Sequence, residues 1–113
     1  MRSDTGFQLT PLGRGGVLLE PQHGINPADP GAAIDAILRE VGEHQPERLY
    51  YSLAEVAIVD PTYYAFLNQL ATACHALGID MVGVGIRPHT AYSLAAHMEE
   101  APRFTTAPGV DQP

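Results

Sequence analysis

Lysine is absent from this chain of 113 residues: its six basic side chains are all arginines, set against thirteen acids for a formal net charge of −7. The arginines (Arg2, Arg14, Arg39, Arg48, Arg87 and Arg103) are scattered along the sequence, whereas a surface that tracks phosphates needs clustered positive charge. Nucleic acid and anionic membranes are therefore excluded as expected partners. Cysteine is nearly absent as well. The single Cys74 rules out an intrachain disulfide framework and fits a reducing compartment, and its place inside an apolar helical run favours packing over reactivity. No stretch approaches the roughly eighteen consecutive apolar residues of a membrane span. Met1 to Thr10 has neither the basic start nor the apolar core of a signal peptide, so the expected location is cytoplasmic. No internal repeat or sustained heptad is present.

What remains is a chain 45% hydrophobic and 17% charged, long enough to hold one core as a single domain over residues 1–113. Residues 1–5 are polar and expected to fray, and residues 107–113 read as the start of an incomplete terminal element.

Phe7 and Leu9 alternate with Gln8 and Thr10, which predicts a first strand to about Leu12. Gly13-Arg14-Gly15-Gly16 gives the backbone freedom for a reversal into Val17-Leu18-Leu19, so a hairpin is expected. No lysine follows these glycines and no helix starts there, which argues against a phosphate-binding loop. Asp29-Pro30 marks a helix start, with Asp29 as side-chain acceptor at the cap. Ile34, Ile37, Leu38 and Val41 then share a buried face, opposite an Asp35–Arg39 pair.

Arg48 to Leu53 reads as a third strand with two largely apolar faces, hence an interior place in a layered sheet. Ala54 to Val59 is a connector too apolar to be free loop. Asp60-Pro61-Thr62 opens a helix to Leu77: Asp60 caps free amides and Pro61 has no amide to lose. Its expected buried set is Tyr63, Phe66, Leu67, Leu70, Ala71, Cys74 and Leu77, with Tyr64 and His75 among the outer positions. Ile79 to Ile86 is the fourth strand. Arg87-Pro88 opens a third helix to about Met98, with Ala91, Tyr92, Leu94, Ala95 and Met98 inward. Arg103-Phe104-Thr105 is a short last strand. Helices are thus expected mainly on one face of a mixed sheet of four or five strands.

Candidate chemistry is sparse. His23 lies in a Pro/Gly/Asn-rich loop with no second ligand at metal spacing, and His75 and Cys74, adjacent on a helix, cannot share a face. His23, Asp60 and Arg87 can be assembled on paper as base, orienter and anion clamp, but no nucleophile accompanies them. No cofactor, no metal and no catalytic residue is expected.

Three segments carry a resemblance spanning nearly the whole chain. They are Val82-Gly83-Val84-Gly85-Ile86-Arg87-Pro88, Val56-Ala57-Ile58-Val59-Asp60, and Phe104-Thr105-Thr106 followed by Pro108-Gly109-Val110. Together they resemble the STAS domain of anti-sigma-factor antagonists, and most closely the single-domain stressosome proteins of bacteria. The resemblance implies a non-enzymatic switch in stress or sigma-factor signalling. Its implied partners are an anti-sigma factor, a serine/threonine-type protein kinase, STAS paralogues or further copies of itself. It also implies a phosphoacceptor directly after the residue matching Asp60, yet Pro61 stands there without a hydroxyl. Thr62 is the neighbouring candidate for phosphorylation, turned about a hundred degrees around the helix. Ser52 stands where many relatives carry an aspartate. The expected partner-binding residues are Asp60, Thr62, Tyr63, Tyr64 and Arg87. The alternative is a small anion or nucleotide sensor in a helix-start groove lined by Tyr50, Ser52, Thr62 or Arg87.

Overall fold

The computed structural model describes residues 6–22, 25–96 and 101–110. His23, His97 and Met98 lie outside them, as do the terminal residues 1–5 and 111–113. The elements are β1 (Phe7–Leu12), β2 (Gly16–Pro21), α1 (Pro30–His44), β3 (Arg48–Ser52), α2 (Pro61–Ala76), β4 (Asp80–Val84), α3 (Pro88–Ala95) and β5 (Thr105–Ala107). The strands form one mixed sheet in the order β1-β2-β3-β4-β5. β1 and β2 are an antiparallel hairpin, and β2 through β5 run parallel. The expected α/β architecture is therefore present, with β3 at its centre.

Period-two alternation sorts each strand onto two faces. Phe7, Val17, Leu19, Leu49, Tyr51 and Met81 point to the side shared with Ile37 and Val41 of α1, Phe66, Leu67 and Leu70 of α2, and Leu94 of α3. All three helices pack on this face. The opposite face carries a smaller cluster of Tyr50, Val82 and Val84, against which Leu12, Leu18, Ala107 and Val110 pack. Apolar residues on both sides of β3 thus have different causes. One side meets helices, and the other meets the segment that follows β5.

The hairpin turn is sharp: Arg14 and Gly15 both take left-handed conformations, at φ 67° and 77°. That is costless for Gly15 and strained for Arg14. Gly16 is favoured for a different reason, since a Cβ there would stand 3.0 Å from Cε2 of Tyr50 and push on that ring.

Several expectations are corrected. Asp29 precedes α1 but makes no side-chain cap bond; the turn before it is held instead by the Asn26 side chain, which accepts from the Ala28 amide at 3.1 Å. In α2, Tyr64 is buried and Leu77 is 62% exposed, because the helix ends at Ala76 and Leu77 has already left its periodicity. In α3 the inward residues are Thr90 and Leu94, while Ala91, Tyr92 and Ala95 are exposed. The reason is that α3 packs on the polar backbone of a loop as well as on the core. The last strand lies two residues later than expected, at Thr105–Ala107.

Candidate functional site

The segment Leu53–Asp60 joins the centre of the sheet to α2. Leu53 and Val59 are fully buried and anchor its two ends in the core, while Ile58 between them is 68% exposed. Its backbone has no ladder of its own, so its polar groups need partners from elsewhere. The Leu53 amide donates to the Val84 carbonyl at 2.8 Å, and the Val56 amide to Leu53 at 3.1 Å. The Ala54 amide donates to Ser52 Oγ at 3.3 Å.

Helix α3 supplies the rest. Arg87 Nε donates to the Ala54 carbonyl at 2.8 Å. The fully buried Thr90 hydroxyl reaches the carbonyls of Val56 at 2.6 Å and Ala57 at 3.2 Å. Ser93 Oγ accepts from the Val59 amide at 3.0 Å and donates to the Thr90 carbonyl at 2.9 Å. Gly85, at φ 71°, lets the chain turn under the loop, and a Cβ there would stand 3.3 Å from that of Ala54. The loop is thus fixed by side chains spaced three apart on one helix, a packing role that favours hydroxyls over hydrocarbon.

At its end Asp60 caps α2, with Oδ1 accepting from the Tyr63 amide at 2.8 Å and Pro61 in the first turn. Asp60, Thr62 and Arg87 are exposed. Tyr63 is only half-buried, and its hydroxyl lies 2.7 Å from that of Tyr51, with its ring edge-on to Phe66. Burial raises the pKa of both phenols, most strongly for Tyr51 inside the core. Tyr64 turns into the core. Among the described residues no ion pair joins Arg87 to Asp60.

The structure therefore brings Asp60, Thr62 and Arg87 to one end of the molecule through the loop and α3, and commits both tyrosines largely to packing. Of the residues expected to line a helix-start groove, Tyr50 lies in the cluster on the sheet face away from the helices, whereas Ser52 and Arg87 meet at Ala54, one at its amide and the other at its carbonyl. Sequence patterns did not single out Thr90, Ser93 or Ile58, and they placed Tyr92 inward. Tyr92 is 85% exposed, and the signal for the inward pair was the four-residue spacing of Thr90 and Leu94. Cys74 is buried and its thiol is pushed up to about 11 by burial, as an inert packing residue should be. Among the described residues no group of three or more metal-ligating side chains is found, and no helix is long and apolar enough to cross a membrane.

No family model matches this sequence, and no curated protein matches it. Solved structures do match its fold. A variant of RsbS from Moorella thermoacetica superposes with a TM-score of 0.75 at 14% identity, covering 91% of this chain and 89% of that one. A chain from the molecular architecture of the stressosome, described as a signal integration and transduction hub, gives 0.75 at 14% identity over 93% and 90%. The NMR structure of the protein TM1081 gives 0.75 at 11% identity over 93% and 82%. This chain has the STAS fold.

Proposed function

We propose that this chain is a non-enzymatic regulatory interaction domain, an anti-sigma-factor antagonist or stressosome-type scaffold acting in bacterial stress signalling. The observation that carries this reading is the braced loop ending at Asp60. Rigid polar groups at its end (Asp60, Thr62 and Arg87) accompany the exposed Ile58 of the same loop, and a preorganised surface of mixed character loses little entropy on docking. Its partners are STAS paralogues or further copies of this chain, and an anti-sigma factor or serine/threonine-type kinase. The STAS fold and the stressosome neighbour support that assignment.

With Pro61 at the usual acceptor position, docking dominates over switching. Thr62 is exposed and carries the nearest hydroxyl, so phosphorylation falls there if a kinase acts on this segment. A phosphate would meet the positive end of α2. The test is complex mass after mixing the purified chain with candidate STAS and kinase partners from the same cell. Complexes that form with wild type and are lost in Asp60→Lys and Ile58→Asp, both still folded, support the reading. Monomers in every mixture overturn it.

A further inference from the structure

A second site lies at the other end of the sheet. Because β2 to β5 are parallel, Gly16, Arg48 and Asp80 mark one end, and the Asp60 loop belongs to the other. At the Gly16 end, on the face away from the helices, is a cleft of about 630 Å³ lined by Leu12, Arg14, Gly16, Arg48, Tyr50 and Val110. That volume is within the roughly 300–1,000 Å³ of small-molecule sites.

The cleft is built from both kinds of group a small organic anion requires. Its floor is the Tyr50 ring, only 8% exposed and seated against the backbone of Gly16. Leu12 and Val110 add hydrocarbon from the hairpin and from the segment after β5. Arg14 and Arg48 lie 34 residues apart in sequence, yet both line one cleft in a chain of net charge −7. Arg48 is charged whatever its surroundings, and the hydrogen bond and charge of Tyr50, ahead of the charges of Asp80 and Glu47, raise its pKa further. Glu47 packs beside Gly15 and Asp80 is the strand neighbour of Arg48. Neither acid lines the cleft among the described residues. Arginine pairs bind planar carboxylates and phosphates through paired donors, and the accessible part of Tyr50, with Leu12 and Val110, offers apolar contact to a small body.

We infer that this cleft binds a small anion carried on a flat or apolar body, an aryl phosphate or carboxylate. Arg14 and Arg48 hold the head group, and Tyr50, Leu12 and Val110 hold the body. The hairpin thus contributes side-chain charge, and the site needs no helix-based phosphate loop.

The experiment is titration of the ¹⁵N-labelled chain with phenyl phosphate and benzoate, with inorganic phosphate and phenol as half-ligand probes. The expected result is saturable shifts at Gly13, Arg14, Gly16 and Tyr50 with either aryl anion, and binding weaker by about tenfold for each half-ligand. Arg48→Gln and Arg14→Gly are each expected to weaken aryl-anion binding by about tenfold with the remaining spectrum unchanged. Arg14→Gly suits the left-handed turn, so it keeps the test valid should Arg48→Gln misfold. Phenol binding as tightly as phenyl phosphate overturns the arginine assignment. Absent saturation, shifts centred on Asp60 to Tyr64, or undiminished affinity in the folded arginine variants overturns the site. Failure here leaves the Asp60 surface untouched, since the two lie at opposite ends.

Discussion

The hydroxyl of Tyr51 meets that of Tyr63 at 2.7 Å, tying the central strand to the first turn of α2 from inside the core. The two ends of this bond are unequal: Tyr51 is fully buried, whereas Tyr63 is half-buried. Tyr63→Phe strands the Tyr51 hydroxyl and is expected to cost about 1–3 kcal/mol. Tyr51→Phe leaves a hydroxyl that water can reach and is expected to cost about 0.5–1.5 kcal/mol. The double variant should lose less than the sum. Urea denaturation of the three variants measures this directly, and equal losses for the two single changes would count against the asymmetry.

Alkaline pH should destabilise the fold through Cys74. Its thiol, ordinarily at 9.0, is raised to about 11 by burial. Below pH 9 both states hold the proton; between 9 and 11 only the unfolded state releases it, so stability falls as pH rises. Two units correspond to about 2–3 kcal/mol. The raised phenols of Tyr51 and Tyr63 act in the same direction above pH 10. Denaturation midpoints at pH 8 to 11 should fall less steeply in Cys74→Ala than in wild type, although the variant starts lower because of its cavity.

Asp60 can be separated from its docking role by chemistry. Asp60→Ala removes the bond to the Tyr63 amide and is expected to lose about 0.5–2 kcal/mol, while Asp60→Asn keeps an acceptor and most of that stability. Partner capture that survives Asp60→Asn but fails with Asp60→Lys would identify shape rather than charge as what the partner reads. Loss in both assigns the carboxylate itself.

Thr90→Val is nearly isosteric but leaves the Val56 and Ala57 carbonyls without their hydroxyl. A loss of about 1–3 kcal/mol is expected. Faster amide exchange at Val56 and Val59 should accompany it, because the loop loses its brace. Unchanged exchange there would show that Arg87 and Ser93 hold the loop alone.

Much of the fold was legible because its signals are local. Asp60-Pro61 marks the start of α2, Ile37 and Val41 its neighbour's buried stripe, and Gly13 to Gly16 the hairpin turn. The errors lie where tertiary packing overrode a local pattern. Tyr92 left the place expected of it because α3 packs against a loop with carbonyls to satisfy, whereas Tyr64 lies three, seven and ten residues before Leu67, Ala71 and Cys74, on the buried face of α2 itself. The site was partly legible: Asp60 and Arg87 are where the motif places them, but Arg87 spends a donor on Ala54 rather than on a carboxylate. The cleft at Arg14 and Arg48 was invisible in sequence because it depends on strand register, which aligns Gly16 with Arg48.

The sheet order β1-β2-β3-β4-β5 is also the order of synthesis. Each new strand adds to an edge already present, so no strand has to be inserted between two others. The chain can therefore assemble from its N-terminus as it emerges, one strand and one covering helix at a time. The edge strands suit that route: β1 carries Pro11, which offers no amide to a neighbour, and β5 is only three residues long, so neither presents a long template for further pairing.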